Sequence, residues 1–225
     1  MLIGARRKME IEWEEPHTAI PEAHLGNEAT PSPKRLDILL PADQTTGAVT
    51  TQAGYVYLHA MIEMVMRKNQ PLSLVCIAPD ASPTMEFLGE TGKNLIGQAI
   101  VRCIRQETRD YDLVYTLSLP TITDTPVFAL VCPLMNEEEA TALGERLRKI
   151  MTSQAGAEDR PWLSFSVGVA SISLDAPDAD SLTARACAAL QKARRSGGGR
   201  LWRHSDTLRA IIENESHSDE DSQSE

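Results

Sequence analysis

The chain has 225 residues, 22 Lys and Arg against 32 Asp and Glu, a formal net charge of −10 and a pI near 5.0. Its 42% hydrophobic content supplies material for a core and excludes disorder throughout, and the negative balance excludes a protein that coats nucleic acid or an acidic membrane, since such binding sets Lys and Arg against phosphates. No run approaches the ~20 apolar residues that cross a bilayer, and residues 1–8 lack the apolar core of a signal peptide, so a cytoplasmic protein of one domain with tails is expected.

Residues 1–35 mix Glu, Pro, His and Arg without period and contain Pro16, Pro21, Pro31 and Pro33, which predicts a flexible leader. Tyr55, Leu58, Met61, Ile62, Val65 and Met66 then recur at helical spacing, and residues 72–77 form a short continuous apolar run that suits a buried strand. Leu95, Ile96, Ala99, Ile100, Cys103 and Ile104 predict a second helix. Residues 113–117 and 127–132 read as two strands of an antiparallel hairpin, with residues 120–126 as the loop between them.

Asn136 is placed to cap a third helix carrying Ala140, Leu143, Leu147 and Ile150. Residues 162–170 alternate like a half-buried strand, and Asp180 or Ser181 is placed to cap a fourth helix carrying Leu182, Ala186, Ala189, Leu190 and Ala193. Gly197, Gly198 and Gly199 end it before a short strand at 200–203. Residues 205–225 are expected as an acidic, disordered tail, its last thirteen residues being acidic without one base. The order predicts an α/β (α+β) domain over 36–204: a ferredoxin-like βαββαβ mixed sheet flanked by helices.

The four cysteines, Cys76, Cys103, Cys132 and Cys187, lie far apart in apolar runs without a CxxC pair, and are expected as buried thiols. Met61, Met64 and Met66 are expected as core or interface filler, and His59 as a helix-face residue. Gly89, Glu90, Thr91, Gly92, Lys93 and Asn94 suggest a phosphate loop, but Phe87 and Asn94 stand where a Walker A needs Gly and Ser or Thr. No Ser-His-Asp or Cys-His arrangement can be picked out.

Several fragments, in order, resemble one family. Asp43, Gln44, Thr45, Thr46 and Gly47 are similar to the DxLTG opening of GGDEF domains, the diguanylate cyclase family. Ser166, Val167, Gly168, Val169 and Ala170 resemble its SxGVA strand, and residues 186–190 with Lys192, Ala193, Arg194 and the glycine run resemble its closing ADxAL…AK…G helix. The resemblance implies the same mixed sheet, of the nucleotidyl cyclase type. It also implies a chemistry, the joining of two GTP molecules by attack of a 3′-hydroxyl on an α-phosphate, with divalent metal held by carboxylates from the first core strand and the GGDEF turn.

Against that pattern Ala78 stands where the first acid belongs, with Asp80 nearby, and the signature window reads Asp124, Thr125, Pro126, Val127 and Phe128, without glycines or paired acids. Thr50 and Thr51 replace Asn-Arg, and Lys93 replaces an Asp. The expectation is therefore a domain with no catalytic residues and no metal or other cofactor.

Arg109, Asp110, Tyr111 and Asp112 form an RxxD just before the first hairpin strand, the register of the family's inhibitory site for its product, cyclic di-GMP. The chemistry suits guanine: Arg presents a planar fork to O6 and N7, and a carboxylate accepts from N1–H and the amino group. Counting from Phe128 brings Arg146 into register with the family's third product contact, with Arg148 as the neighbouring alternative. Alternatively, Arg109 and Asp112 form a solvated ion pair of about 0–1 kcal/mol. The resemblance implies a non-catalytic cyclic di-GMP receptor, a homodimer bridged by its two-fold symmetric ligand, and an unidentified protein partner. The alternatives are an active cyclase using Asp80, Glu86 or Asp124 as substitute metal ligands, and a ligand-free interaction module using the acidic tail or the 118–125 loop.

Overall fold

The computed structural model of the chain describes residues 35–119, 122–157, 160–161, 163–173 and 176–206. Residues 1–34 of the expected leader over 1–35, and residues 207–225 of the expected tail over 205–225, lie outside the described residues. Helix α1, Thr51–Lys68, starts where the Thr50 hydroxyl accepts a hydrogen bond from the Ala53 N–H, and ends at Asn69 in the left-handed conformation, φ 50°. Leu58, Ile62 and Val65 are buried, whereas Met66, expected on the same stripe, is exposed. It lies about 100° round the helix from Val65.

Strand β1, Leu72–Pro79, is buried along its whole length. Helix α2, Pro83–Glu107, is capped by Ser82 and broken at Gly89, whose φ of 59° and ψ of −165° belong to glycine alone. Ile96, Ile100, Cys103 and Ile104 form its buried face, while Leu95 and Ala99 face outward.

Strands β2, Leu113–Leu119, and β3, Ile122–Pro133, pair from Leu113↔Val131 to Leu117↔Val127 and again at Leu119↔Ile122. The loop expected over 120–126 is thus largely strand: residues 123–126 stand opposite Ser118 alone, in an irregularity of the ladder. Threonine and isoleucine favour the extended chain there, and the surplus is absorbed as a bulge.

Helix α3, Glu137–Gln154, opens with the expected cap at Asn136. Its Oδ1 accepts from the Glu139 N–H at 2.9 Å, and Glu139 Oε2 accepts from the Asn136 N–H at 2.9 Å. A two-residue pair, β4 (Gly156–Ala157) and β5 (Arg160–Pro161), follows. Strand β6, Phe165–Ser171, is buried nearly throughout rather than half-buried, because α3 covers one face and α4 the other. Helix α4, Ala179–Arg195, is capped by Asp178 instead of the expected Asp180 or Ser181, and β7, Leu201–Arg203, forms the edge of the sheet.

The sheet order is β2-β3-β1-β6-β7, with antiparallel neighbours except for the parallel β6·β7 pair. This is the expected ferredoxin-like βαββαβ arrangement, extended by α1 in front and by α4 and β7 behind. Val75, Ile77, Phe128, Leu130, Val167 and Val169 pack against α2 and α3. Leu74, Cys76, Ala129, Val131 and Ala170 pack against α1 and α4. Each fully buried Val, Leu, Ile or Phe among them contributes about 1.5–3 kcal/mol.

The Gly168 backbone lies so close to α4 that an added Cβ would sit 2.2 Å from Leu190 N and 2.3 Å from Ala186 O, which explains the glycine of the SxGVA strand. All four cysteines are buried and free. Burial pushes the Cys103 thiol up to about 11 and Cys132 well above its usual range. No helix among the described residues is long and apolar enough to cross a membrane.

Candidate functional site

Helix α2 stops when Thr108 turns extended, φ −119° and ψ 163°, and the chain bends through residues 109–112 into β2. Asp112 makes that bend. Its Oδ2 accepts from the Arg109 N–H at 2.9 Å, and its own N–H donates to the Arg109 carbonyl at 3.1 Å. Asp112 is 1% exposed, and among the described residues its Oδ1 accepts no hydrogen bond. Burial raises its carboxyl above the ordinary range, opposed by the Arg109 N–H and by the Arg109 and Arg35 charges.

The Arg109 side chain is exposed; its Nη1 donates to the Tyr111 hydroxyl at 2.9 Å, and its guanidinium lies 5.8 Å from the Tyr111 ring centroid. Tyr57, from α1, donates to the Tyr111 carbonyl at 2.7 Å. The Tyr57 hydroxyl is pushed up to about 12, first by burial and then by the Asp112 charge.

Arg109, Asp112 and Arg146 line one open groove of about 690 Å³, between the end of α2 and the outer face of α3, with Gln106, Met135 and Leu143 in its wall. The structure therefore brings together the three residues picked out from the sequence. Arg146, with a side chain 55% exposed, donates from Nη2 to the Glu107 carbonyl at 2.7 Å, and its Nε lies 3.4 Å from Glu107 Oε2. Arg148, the alternative, is outside that lining: it is paired with Glu145, and its Nη1 donates to the Gly199 carbonyl at 2.8 Å. Asp112, Glu107 and Glu139 offset the two arginines of the groove, a balance better matched to a base edge bearing donors and acceptors than to a bare phosphate.

Two groups under the groove were not singled out from the sequence. Arg35 donates to the carbonyls of Arg105, Thr108 and Asp112, and Asp37, 2% exposed, binds the Arg105 Nε at 2.6 Å. Arg35 lies in the expected leader, and nothing local in the sequence marks a contact made across some 70 residues.

At the other end of the sheet, Asp80 is the acid beside the family's metal position. Its Oδ2 accepts from the Ser164 hydroxyl at 2.7 Å and the Gly199 N–H at 2.8 Å, and its Oδ1 from the Ser166 hydroxyl at 2.6 Å. The run of glycines folds around this carboxylate at φ 106°, 69° and 61°. Arg194 Nη2 donates to the Pro79 carbonyl and the Thr125 hydroxyl, both at 2.6 Å, so an arginine ties together the strand ends. Ala78 is buried in β1, and Glu86 is exposed in the first turn of α2. Among the described residues no three His, Cys, Asp or Glu side chains gather where a metal ion could be held. With Ala78 lacking a side-chain oxygen and Asp80 already held by three donors, these two positions do not fit the paired acids of the metal centre that the resemblance implies; the side chain of Asp124 lies outside the described residues.

The Asp43–Gly47 turn has a structural role: Asp43 Oδ1 accepts from the Thr46 N–H and hydroxyl, both at 2.7 Å, and Gly47 adopts φ 77°. The chain then bridges onto β2 through Val49↔Tyr115.

No family model matches the chain. No curated protein matches it in sequence. Its fold does match solved structures. The active GGEEF domain of a diguanylate cyclase from Vibrio cholerae is similar at TM-score 0.57 and 19% identity, over 67% of this chain and 93% of that one. The GGDEF domain of DgcB from Caulobacter crescentus, in complex with c-di-GMP, is similar at 0.61 and 15%, over 73% and 95%. The FimX GGDEF domain from Pseudomonas aeruginosa is similar at 0.60 and 20%, over 71% and 96%. With its mixed five-stranded sheet and its helices on both faces, the described domain has the fold of the GGDEF domains of diguanylate cyclases.

Proposed function

We propose that the chain is a non-catalytic receptor for cyclic di-GMP, a degenerate GGDEF domain that holds the dinucleotide at Arg109, Asp112 and Arg146. The reading includes no resident metal or cofactor, a cytoplasmic location, and an output through ligand-bridged homodimers or a protein partner. One observation carries it: Asp112 holds a buried carboxylate oxygen without a donor, in a groove that also offers two guanidiniums. A guanine edge supplies the N1–H and amino donors that this oxygen lacks, and accepts from an arginine at O6 and N7. A fold neighbour, DgcB, was solved in complex with c-di-GMP.

The loss of synthesis is supported by residues already engaged elsewhere. Asp80 is held by three donors, Ala78 offers no oxygen from its side chain, and Pro126 removes an N–H from the region matching the signature turn. Titration calorimetry with cyclic di-GMP tests the reading: wild type binds, and Arg109→Ala weakens binding at least about tenfold, the cost of one charge-assisted contact. Absence of binding by wild type, or equal binding by the variant, ends the assignment. Chromatography after incubation with GTP and Mg²⁺ is expected to find no cyclic di-GMP, and clear turnover would reinstate the cyclase.

A further inference from the structure

We propose that Arg35 is a positioning residue of the groove, and that through it the segment leading into the domain is thermodynamically coupled to the bound ligand. The inference rests on the receptor reading above and concerns the regulation of that same site.

Helix α2 ends without a glycine or a left-handed residue to close its last turn, since Thr108 is extended. The last carbonyls of a helix have no partners within it. The Thr108 hydroxyl donates to the Ile104 carbonyl and Arg146 to the Glu107 carbonyl, and Arg35 supplies donors to the Arg105 and Thr108 carbonyls from outside. Its Nη1 donates to the Arg105 carbonyl at 2.6 Å and the Thr108 carbonyl at 3.1 Å, and its Nη2 to Thr108 Oγ1 at 3.1 Å and the Asp112 carbonyl at 3.0 Å. The neighbouring Leu36 N–H donates to the Asp110 carbonyl at 3.2 Å. One guanidinium therefore spans the helix end and the far side of the turn that carries Asp112, and a cation is favoured at that end of a helix.

The arginine is itself fixed. Asp37 lies between Arg35, 3.5 Å away, and Arg105, 2.6 Å away, and Arg105 Nη2 continues to the Gly47 carbonyl at 2.8 Å. Residues 36–39 form a short 3-10 helix whose Ile38 and Leu39 are exposed. Apart from Leu40, which packs against the core, the segment is held by polar contacts, so its local opening is set by few apolar contacts. A shift of Arg35 removes support from the carbonyls of Thr108 and Asp112, and so displaces the Asp112 carboxylate from the base. Linkage is reciprocal, so a ligand that orders the turn must equally order residues 36–40.

Hydrogen exchange of the full chain, with and without cyclic di-GMP, tests the coupling on wild type, Arg35→Gln and Arg35→Lys, with Arg67→Ala as an exposed control. Without ligand, Arg35→Gln is expected to speed exchange across residues 108–114 while the amides of β1 and β6 keep their protection. Arg35→Lys falls between, because an ammonium cannot span these acceptors as a fork does. Ligand affinity falls about two- to thirtyfold in Arg35→Gln, and ligand on wild type slows exchange over residues 36–40, a response that a merely structural role would not give. Unchanged exchange at 108–114 in both Arg35 variants overturns the proposal, as does ligand binding that leaves residues 36–40 unprotected. If Arg35→Gln loses protection everywhere, Arg35→Lys decides by the same criteria. Failure of wild type to bind cyclic di-GMP ends the receptor reading instead; the ligand-free exchange then decides the positioning role alone.

Discussion

Replacing Asp80 with alanine separates a structural carboxylate from a metal ligand. Three donors converge on it: the hydroxyls of Ser164 and Ser166 and the Gly199 N–H. Ser166 is fully buried, so its orphaned hydroxyl costs about 1–2 kcal/mol. Ser164 and Gly199 are half-buried and recover part of their loss from water, leaving about 0.5–1 kcal/mol each. The total is about 3 kcal/mol, and for a domain of this size that lowers Tm by roughly 6–12 °C. Thermal unfolding followed by circular dichroism, with and without Mg²⁺ or Mn²⁺, measures both quantities. The expected result is a large drop in Asp80→Ala and no divalent-dependent rise in either protein. A wild type stabilised by divalent cation, with the effect lost in Asp80→Ala, would refute the structural account and support substitute metal ligands.

Gly168→Ala should destabilise by at least about 2 kcal/mol, because the new methyl meets the α4 backbone, which cannot rotate away; urea unfolding checks this, and an unchanged midpoint contradicts the close approach. Arg146→Ala should leave unliganded stability within about 0.5 kcal/mol, since its pair with Glu107 is exposed, yet weaken cyclic di-GMP binding. Asp112 should titrate above the ordinary carboxylate value of 3.8. Its folded pKa being raised, its favourable contribution to stability is complete below the unfolded pKa and is lost as pH rises through the folded one. Asp112→Asn, which cannot ionise, should therefore gain stability relative to wild type as pH rises through that window, while losing ligand; a stability difference independent of pH would contradict this. In wild type, affinity should fall as acid protonates the carboxylate, and calorimetry at stepped pH reads that loss.

Periodicity made the helices, the buried β1 strand and the order of elements along the chain legible because each element puts one sustained apolar face, or both faces, into the cores on either side of the sheet. It misled where the reasons were local or distant. The 120–126 segment resembles a loop in its Pro, Thr and Asp content, yet its described part, residues 122–126, is strand: Ile122 pairs with Leu119, and four residues are absorbed in a bulge before Val127. Strand β6 alternates in sequence but is buried on both sides, since helices cover both faces. At the groove, Arg109, Asp112 and Arg146 are implied by the family resemblance, and they line one cavity. Arg35 and Asp37 are not, because their partners lie some 70 residues onward, and neither residue type nor spacing encodes such a contact. The roles of Asp80 and Arg194 were hidden likewise: a carboxylate at a strand end looks the same in sequence whether metal or serines hold it.

The most direct test of the receptor account is a crystal structure grown with cyclic di-GMP and GTP together. The account predicts a guanine with its N1–H or amino group 2.7–3.2 Å from Asp112 Oδ1, Arg109 turned from Tyr111 to its O6/N7 edge, and no GTP with metal at Asp80. Dinucleotide bound away from the groove, or a groove empty of it while Asp80 coordinates a metal–GTP complex, would contradict the account.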